Sequence, residues 1–91
     1  MRLQNYIMKK KDLVSGTVEN KTFIIDLKKK NVVYELNRAG SFIWGLINDK
    51  KSIPDLVDGV KKEFGIGEKK AEADVKQFIS TLKKSKLVIS K

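Results

Sequence analysis

The chain has 91 residues, 41% hydrophobic and 34% charged, with 20 Lys and Arg against 11 Asp and Glu, a net charge of +9, and neither histidine nor cysteine. A domain of this size buries one core and has no room for a deep enclosed pocket, which excludes a large enzyme. The missing Cys and His also exclude thiol nucleophiles, disulfides, zinc-finger ligands and imidazole proton transfer, leaving at most an oxygen-ligand metal site or carboxylate and lysine chemistry.

Residues 1–11, MRLQNYIMKKK, mix Leu3, Tyr6, Ile7 and Met8 with a basic cluster and lack periodicity. They read as an N-terminal tail or an extra edge segment ahead of a single domain over 12–91, and they lack the 7–15-residue apolar stretch of a secretory signal. From Leu13 the pattern becomes that of an antiparallel meander, short β-prone runs between polar turns. A weak strand over Leu13 to Glu19 is interrupted by Ser15 and Gly16, Asn20-Lys21 turns, and Thr22 to Leu27 forms a stronger strand. After Lys28-Lys29-Lys30-Asn31, Val32 to Leu36 is the third strand, with Val32, Tyr34 and Leu36 facing the core and Val33 and Glu35 facing away.

Asn37 is placed to cap a helix starting at Arg38 and ending near Asn48, with Phe42, Ile43, Leu46 and Ile47 at helical spacing and Trp44 on a neighbouring face. Ser52, Pro54 and Asp55 open a second helix in a variant of the capping box; its stripe is Leu56, Val57, Val60 and Phe64, and Gly65 stops it. Gly67-Glu68 begins the last helix, where Ala71, Val75, Phe78, Ile79 and Leu82 follow the i, i+4, i+7, i+8, i+11 pattern as far as about Lys84 to Lys86. Leu87 to Ile89 is an extended apolar terminus folded back on the core. The order predicts an α+β fold, a three-stranded antiparallel β-meander followed by three α-helices.

The positive charge is spread evenly: residues 1–40 carry a net +5 and residues 41–91 a net +4, and eighteen of the twenty basic groups are Lys. Scattered lysine pairs describe a solvated surface more than a nucleic-acid stripe, because only Arg2 and Arg38 offer a planar fork. Without a disulfide framework or a long apolar run the expected setting is the cytoplasm, with no membrane span. Asp55 and Asp58, three apart on one helix, are no more than a charged face requires. Gly65-Ile66-Gly67 begins like a dinucleotide fingerprint but follows a helix, lacks a third glycine and reads as a helix stop followed by a helix start. Trp44 and the phenylalanines sit among periodic apolar neighbours, which favours core packing over ligand stacking. No catalytic, cofactor or metal set converges. What remains is the free side of the third strand, where unpaired NH and CO groups over Lys30 to Glu35 would accept another extended strand.

The stretch Tyr34-Glu35-Leu36-Asn37-Arg38-Ala39-Gly40-Ser41-Phe42-Ile43-Trp44 resembles the Y-x-L-N-x-x-G-x-x-I-W segment of the PqqD family, the small proteins of pyrroloquinoline quinone (PQQ) biosynthesis and related recognition elements of ribosomally synthesised, post-translationally modified peptides. Ala71 to Leu82 is similar to that family's A-E-x-D-V-x-x-F-L-x-x-L helix, and the Phe23 to Leu27 run, ending in Asp26-Leu27, matches the strand before it. Order and spacing are preserved over about residues 13–88. The resemblance implies a winged-helix-like fold that performs no chemistry. It implies binding of the leader of a precursor peptide, added antiparallel to the third strand beside the third helix, and its presentation to a modifying enzyme such as a radical S-adenosylmethionine protein. Carried onto this chain, the strand residues are Asn31, Val32, Val33, Tyr34 and Glu35, and the helix residues are Lys70, Asp74, Gln77, Phe78 and Thr81; Val75 and Phe78 fit the buried face of that helix equally well. Two positions depart from the family pattern: Gly67 stands where an Asp followed by Pro is frequent, and Lys86 where a Gly commonly ends the helix.

Two other readings compete. A basic domain with three helices suits a DNA-binding winged helix, although Glu68, Glu72 and Asp74 lie in the first two turns of its candidate recognition helix. A scaffold binding another protein through Phe23, Val33 or the tail is the third. A strand edge that accepts a peptide also has the means to pair two copies into a homodimer.

Overall fold

The computed structural model describes residues 6–29, 32–48 and 50–90. In chain order the elements are β1 (Tyr6–Lys9), β2 (Leu13–Val18), β3 (Lys21–Asp26), β4 (Val33–Leu36), α1 (Arg38–Leu46), β5 (Lys51–Ser52), α2 (Ile53–Phe64), α3 (Glu68–Lys84) and β6 (Val88–Ser90). The expected meander is β2-β3-β4, antiparallel throughout, with Ile24 opposite Tyr34 and Ser15 opposite Ile24.

A second sheet joins it, ordered β5-β1-β6, where the sequence reading had a single sheet. β1 is its central strand, pairing Tyr6 with Ser52 and Met8 with Ile89, and Ile7 is buried in the core. Residues 6–9, read from sequence as tail or edge segment, thus belong to the folded body. Their partners have two and three residues and lie more than 40 positions away, so no local alternation announces them.

The core lies between the two sheets and the three helices. Ile7, Ile24, Ile47, Leu56, Val75, Leu82 and Leu87 are almost completely enclosed, and each stabilises the fold by roughly 1.5–3 kcal/mol relative to exposure. Trp44, also buried, donates its indole N–H to Ser15 Oγ at 3.3 Å, and Lys9 Nζ sits 4.5 Å from the ring centroid, so α1 is tied to both sheets. Burial lowers the Lys9 pKa below its ordinary value.

Local signals end the helices as their residues require. Asn37 accepts from Gly40 N at 2.9 Å, and Ser52 and Asp55 form the reciprocal capping box. Gly65 closes α2 at φ 61°. At the end of α3, Lys86 N donates to Lys83 O and Leu87 N to Leu82 O, a Schellman motif whose left-handed residue is Lys86 at φ 59°. The position where glycine would be cheapest therefore carries a lysine, and the Leu82–Leu87 contact within the core holds the motif closed. No helix among the described residues is long and apolar enough to cross a membrane.

Candidate functional site

The outer edge of β4 is unpaired among the described residues, because β4 bonds only to β3. Alternate residues of β4 therefore direct N–H and C=O groups into open space. Burial alternates as the sequence predicts: Val32 and Tyr34 are half-buried and Leu36 is buried, whereas Val33 and Glu35 are exposed. Leu36 O accepts from Ser41 Oγ at 3.1 Å, and the Asn37 cap follows at once, so two hydrogen bonds tie the end of the edge strand to α1.

Where the edge strand runs on into Asn37, the helices leave two adjoining hollows. The first, of about 270 Å³, has Asn37, Ala39, Gly40 and Ile43 from α1 on one wall and Asp74, Gln77, Phe78 and Thr81 from α3 on the other. The second, of about 250 Å³, shares Ala39, Ile43 and Asp74 and runs on to Val60, Phe64, Ile66 and Lys70. Together they form one groove with an apolar floor. Its rim carries the Lys70–Asp74 ion pair at 3.6 Å, and Thr81 Oγ1 donates to Gln77 O at 3.1 Å.

Two stripes run along α3, one residue out of phase. Ala71, Val75, Ile79 and Leu82 face the core, while Lys70, Asp74, Gln77 and Thr81 face the groove, with Phe78 common to both. Val75 is fully buried; Phe78 is half-buried and forms a groove wall. The structure thus gathers the five helix residues named from sequence around one groove and sets Val32 to Glu35 along the neighbouring edge segment. Asn31 lies outside the described residues.

The floor from α1 was missed. Its signal was Gly40, a glycine inside a helix that costs up to about 1 kcal/mol of propensity and so calls for a reason. A Cβ there would stand 2.8 Å from Phe78 Cε1, so the missing side chain lets the Phe78 ring lie on α1. Helical spacing places Val60 and Phe64 on the core stripe of α2 and Ile66 in the turn after it; all three also line the second hollow. Phe23, counted among core aromatics, instead stands on the outer face of its sheet at 36% exposure, because β3 alternates strictly and Thr22, Ile24 and Asp26 take the inner face.

The carboxylates weighed for chemistry are engaged elsewhere: Asp55 caps α2, and Asp58 pairs with Lys62 at 3.1 Å on an exposed face. Among the described residues, no three acidic groups gather as a metal site would need. An open strand edge beside an apolar groove is an arrangement for holding an extended chain.

Comparison with protein families matches residues 21–88, three quarters of the chain and both elements of the groove, to coenzyme PQQ synthesis protein D (PqqD). The chain belongs to the PqqD family. Comparison with curated proteins finds no match. Among solved structures, this PqqD-family chain is similar to TbiB1 in a complex with the TbiA(beta) leader peptide, at a TM-score of 0.80 and 22% identity, covering 89% of this chain and 93% of that one. At that identity the likeness establishes a shared fold.

Proposed function

We propose that this protein binds the leader segment of a ribosomally made precursor peptide as an added antiparallel strand on β4, beside α3, and presents it to a modifying enzyme without doing chemistry itself. The observation that carries this reading is the unpaired β4 edge, which runs on through Asn37 into the wall of the groove between α1 and α3. Family membership supports it, as does the leader peptide bound by a protein of the same fold. Main-chain hydrogen bonds supply affinity, and alternate side chains supply specificity. An antiparallel peptide brings its N-terminal part past Leu36 and Asn37 into the groove, while its C-terminal part leaves near Val33. The groove contacts proposed are Lys70, Asp74, Gln77, Phe78 and Thr81, and the strand contacts Asn31 to Glu35. The net charge of +9 favours an acidic leader by steering its encounter. The enzyme proposed is one such as a radical S-adenosylmethionine protein, in PQQ or another modified-peptide pathway in the cytoplasm.

An amide NMR titration of labelled protein with synthetic leader peptides encoded near its gene tests the reading, with a DNA duplex in parallel. Saturable shifts confined to residues 30–35, the start of α1 and residues 70–84 are expected. Silence with every peptide, together with salt-sensitive shifts across the lysines on adding DNA, would replace it with the winged-helix reading.

Gly40→Ala should push the Phe78 ring into the groove. Peptide affinity is expected to fall about tenfold, while overpacking costs roughly 1–2 kcal/mol of stability, partly offset by the better helix former. Isothermal titration against urea unfolding of the same variant separates the two effects.

A further inference from the structure

We infer that the outer face of the β2-β3-β4 sheet is the docking surface for the enzyme that modifies the peptide, a partner meeting it with an apolar patch bordered by carboxylates. The inference rests on the peptide-binding reading for the partner's identity, and on the following observations for its place.

Pairing register aligns Val14, Ile25 and Val33 in one row across all three strands, and they are 49%, 44% and 57% exposed. Residues directly opposite in antiparallel strands share a face, so the row is continuous. Phe23 stands on the same face, Val18 extends it toward the hairpin turn, and Leu27 lies just past β3. Six of the seven large apolar side chains exposed among the described residues thus fall within residues 14–33. Concentration of that kind on a small domain marks an interaction surface rather than scattered surface residues.

The charges around the face select its occupant. At the end bearing the Val14–Ile25–Val33 row, Lys11, Lys28 and Lys29 outnumber Asp12, which pairs with Lys28 at 3.4 Å. At the other end, Lys21 is matched by Glu35 at 3.4 Å, and Glu19 occupies the turn. A partner carrying carboxylates opposite Lys11 and Lys29 gains complementarity, whereas a second copy of a +9 chain meets net repulsion.

Direction of the peptide supplies the functional reason. A leader antiparallel to β4 exits beside Val33, at this same basic end, and the segment to be modified follows it. An enzyme seated on the outer face therefore stands where its substrate emerges, while the groove on the inner side remains occupied by the leader.

The test uses the full-length protein and the double variant V14S/I25S, whose substitutions lie on β2 and β3, away from the peptide edge. The probes are a fluorescent leader peptide and the purified modifying enzyme encoded beside the protein's gene. Expected are leader affinity within about twofold of wild type, enzyme affinity weaker by about tenfold or more, and enzyme binding that weakens as salt rises. Equal binding of the enzyme to both proteins, or none to wild type, overturns the inference. So does wild-type protein that sediments as a dimer dissolved by the double variant, since the occupant is then a second copy. Failure of the leader to bind wild type removes the peptide reading instead, and enzyme docking that is lost in the variant still locates the surface.

Discussion

Proline at one of two neighbouring positions of β4, Val33 or Tyr34, will remove most of the affinity for the leader peptide while the helices stay folded. In an antiparallel ladder the N–H and C=O of one residue point to one neighbour and those of the next residue point to the other. β4 has β3 on one side only, so one member of this pair bonds to Ile24 or Ile25 and the other faces the open edge. Proline at the edge-facing position deletes the donor to the incoming strand, leaves a peptide carbonyl unpaired and crowds the approach, a loss of about 2 kcal/mol or roughly thirtyfold in affinity. At the β3-facing position it breaks the sheet and appears as lost stability. Peptide titrations and urea melts on Val33→Pro and Tyr34→Pro will therefore divide, one variant weak in binding and the other weak in folding. Two folded variants that both bind as wild type would falsify strand addition on β4.

Lys10→Met is expected to destabilise the fold by about 2 kcal/mol, through a carboxylate that the fold encloses. The Asp26 side chain is completely buried at the end of β3; its Oδ1 accepts from Lys28 N at 2.9 Å, and its Oδ2 has no hydrogen bond, only the Lys10 ammonium at 3.8 Å. At that separation the pairing is chiefly electrostatic, and because Lys10 is about one-third exposed, the figure is set below the 3–5 kcal/mol of a fully enclosed pair. Removing the ammonium leaves the enclosed carboxylate with the Lys28 N–H on Oδ1 and nothing facing Oδ2 among the described residues. Asp26→Asn keeps an acceptor for Lys28 N and removes that charge, so K10M/D26N should be more stable than K10M alone. Urea unfolding of the four proteins closes the cycle, and strictly additive losses would show that the pair contributes nothing. The contact matters for architecture because Lys10 follows β1 and Asp26 ends β3, so it clamps one sheet to the other.

Local chemistry made much of this molecule legible before its structure. Asn37, Ser52 with Asp55, and Gly65 announce helix ends through side-chain acceptors or a left-handed backbone, effects that act within four residues. The alternation of Val32, Tyr34 and Leu36 against Val33 and Glu35 and the stripes on α2 and α3 assign faces for the same reason: period sets direction. Lys70, Asp74, Gln77 and Thr81 came from the family resemblance, and the structure sets them one step out of phase with the core stripe, along the groove. What escaped was pairing at a distance. β1 meets segments near residues 51 and 89, and no short window contains both partners.

By itself the sequence determined a small α+β chain with three helices, a three-stranded meander, and no thiol or imidazole for chemistry, because composition and short-range periodicity carry that information. Only the tertiary structure decided that a second sheet forms around Tyr6–Lys9, that Gly40 brings α1 against Phe78 to make a groove, and that Val14 and Ile25 line up beside Val33 in one exposed row. Each of these depends on which distant surfaces meet, and a fold chooses among such surfaces by the total apolar area it can enclose, a quantity that belongs to the whole chain.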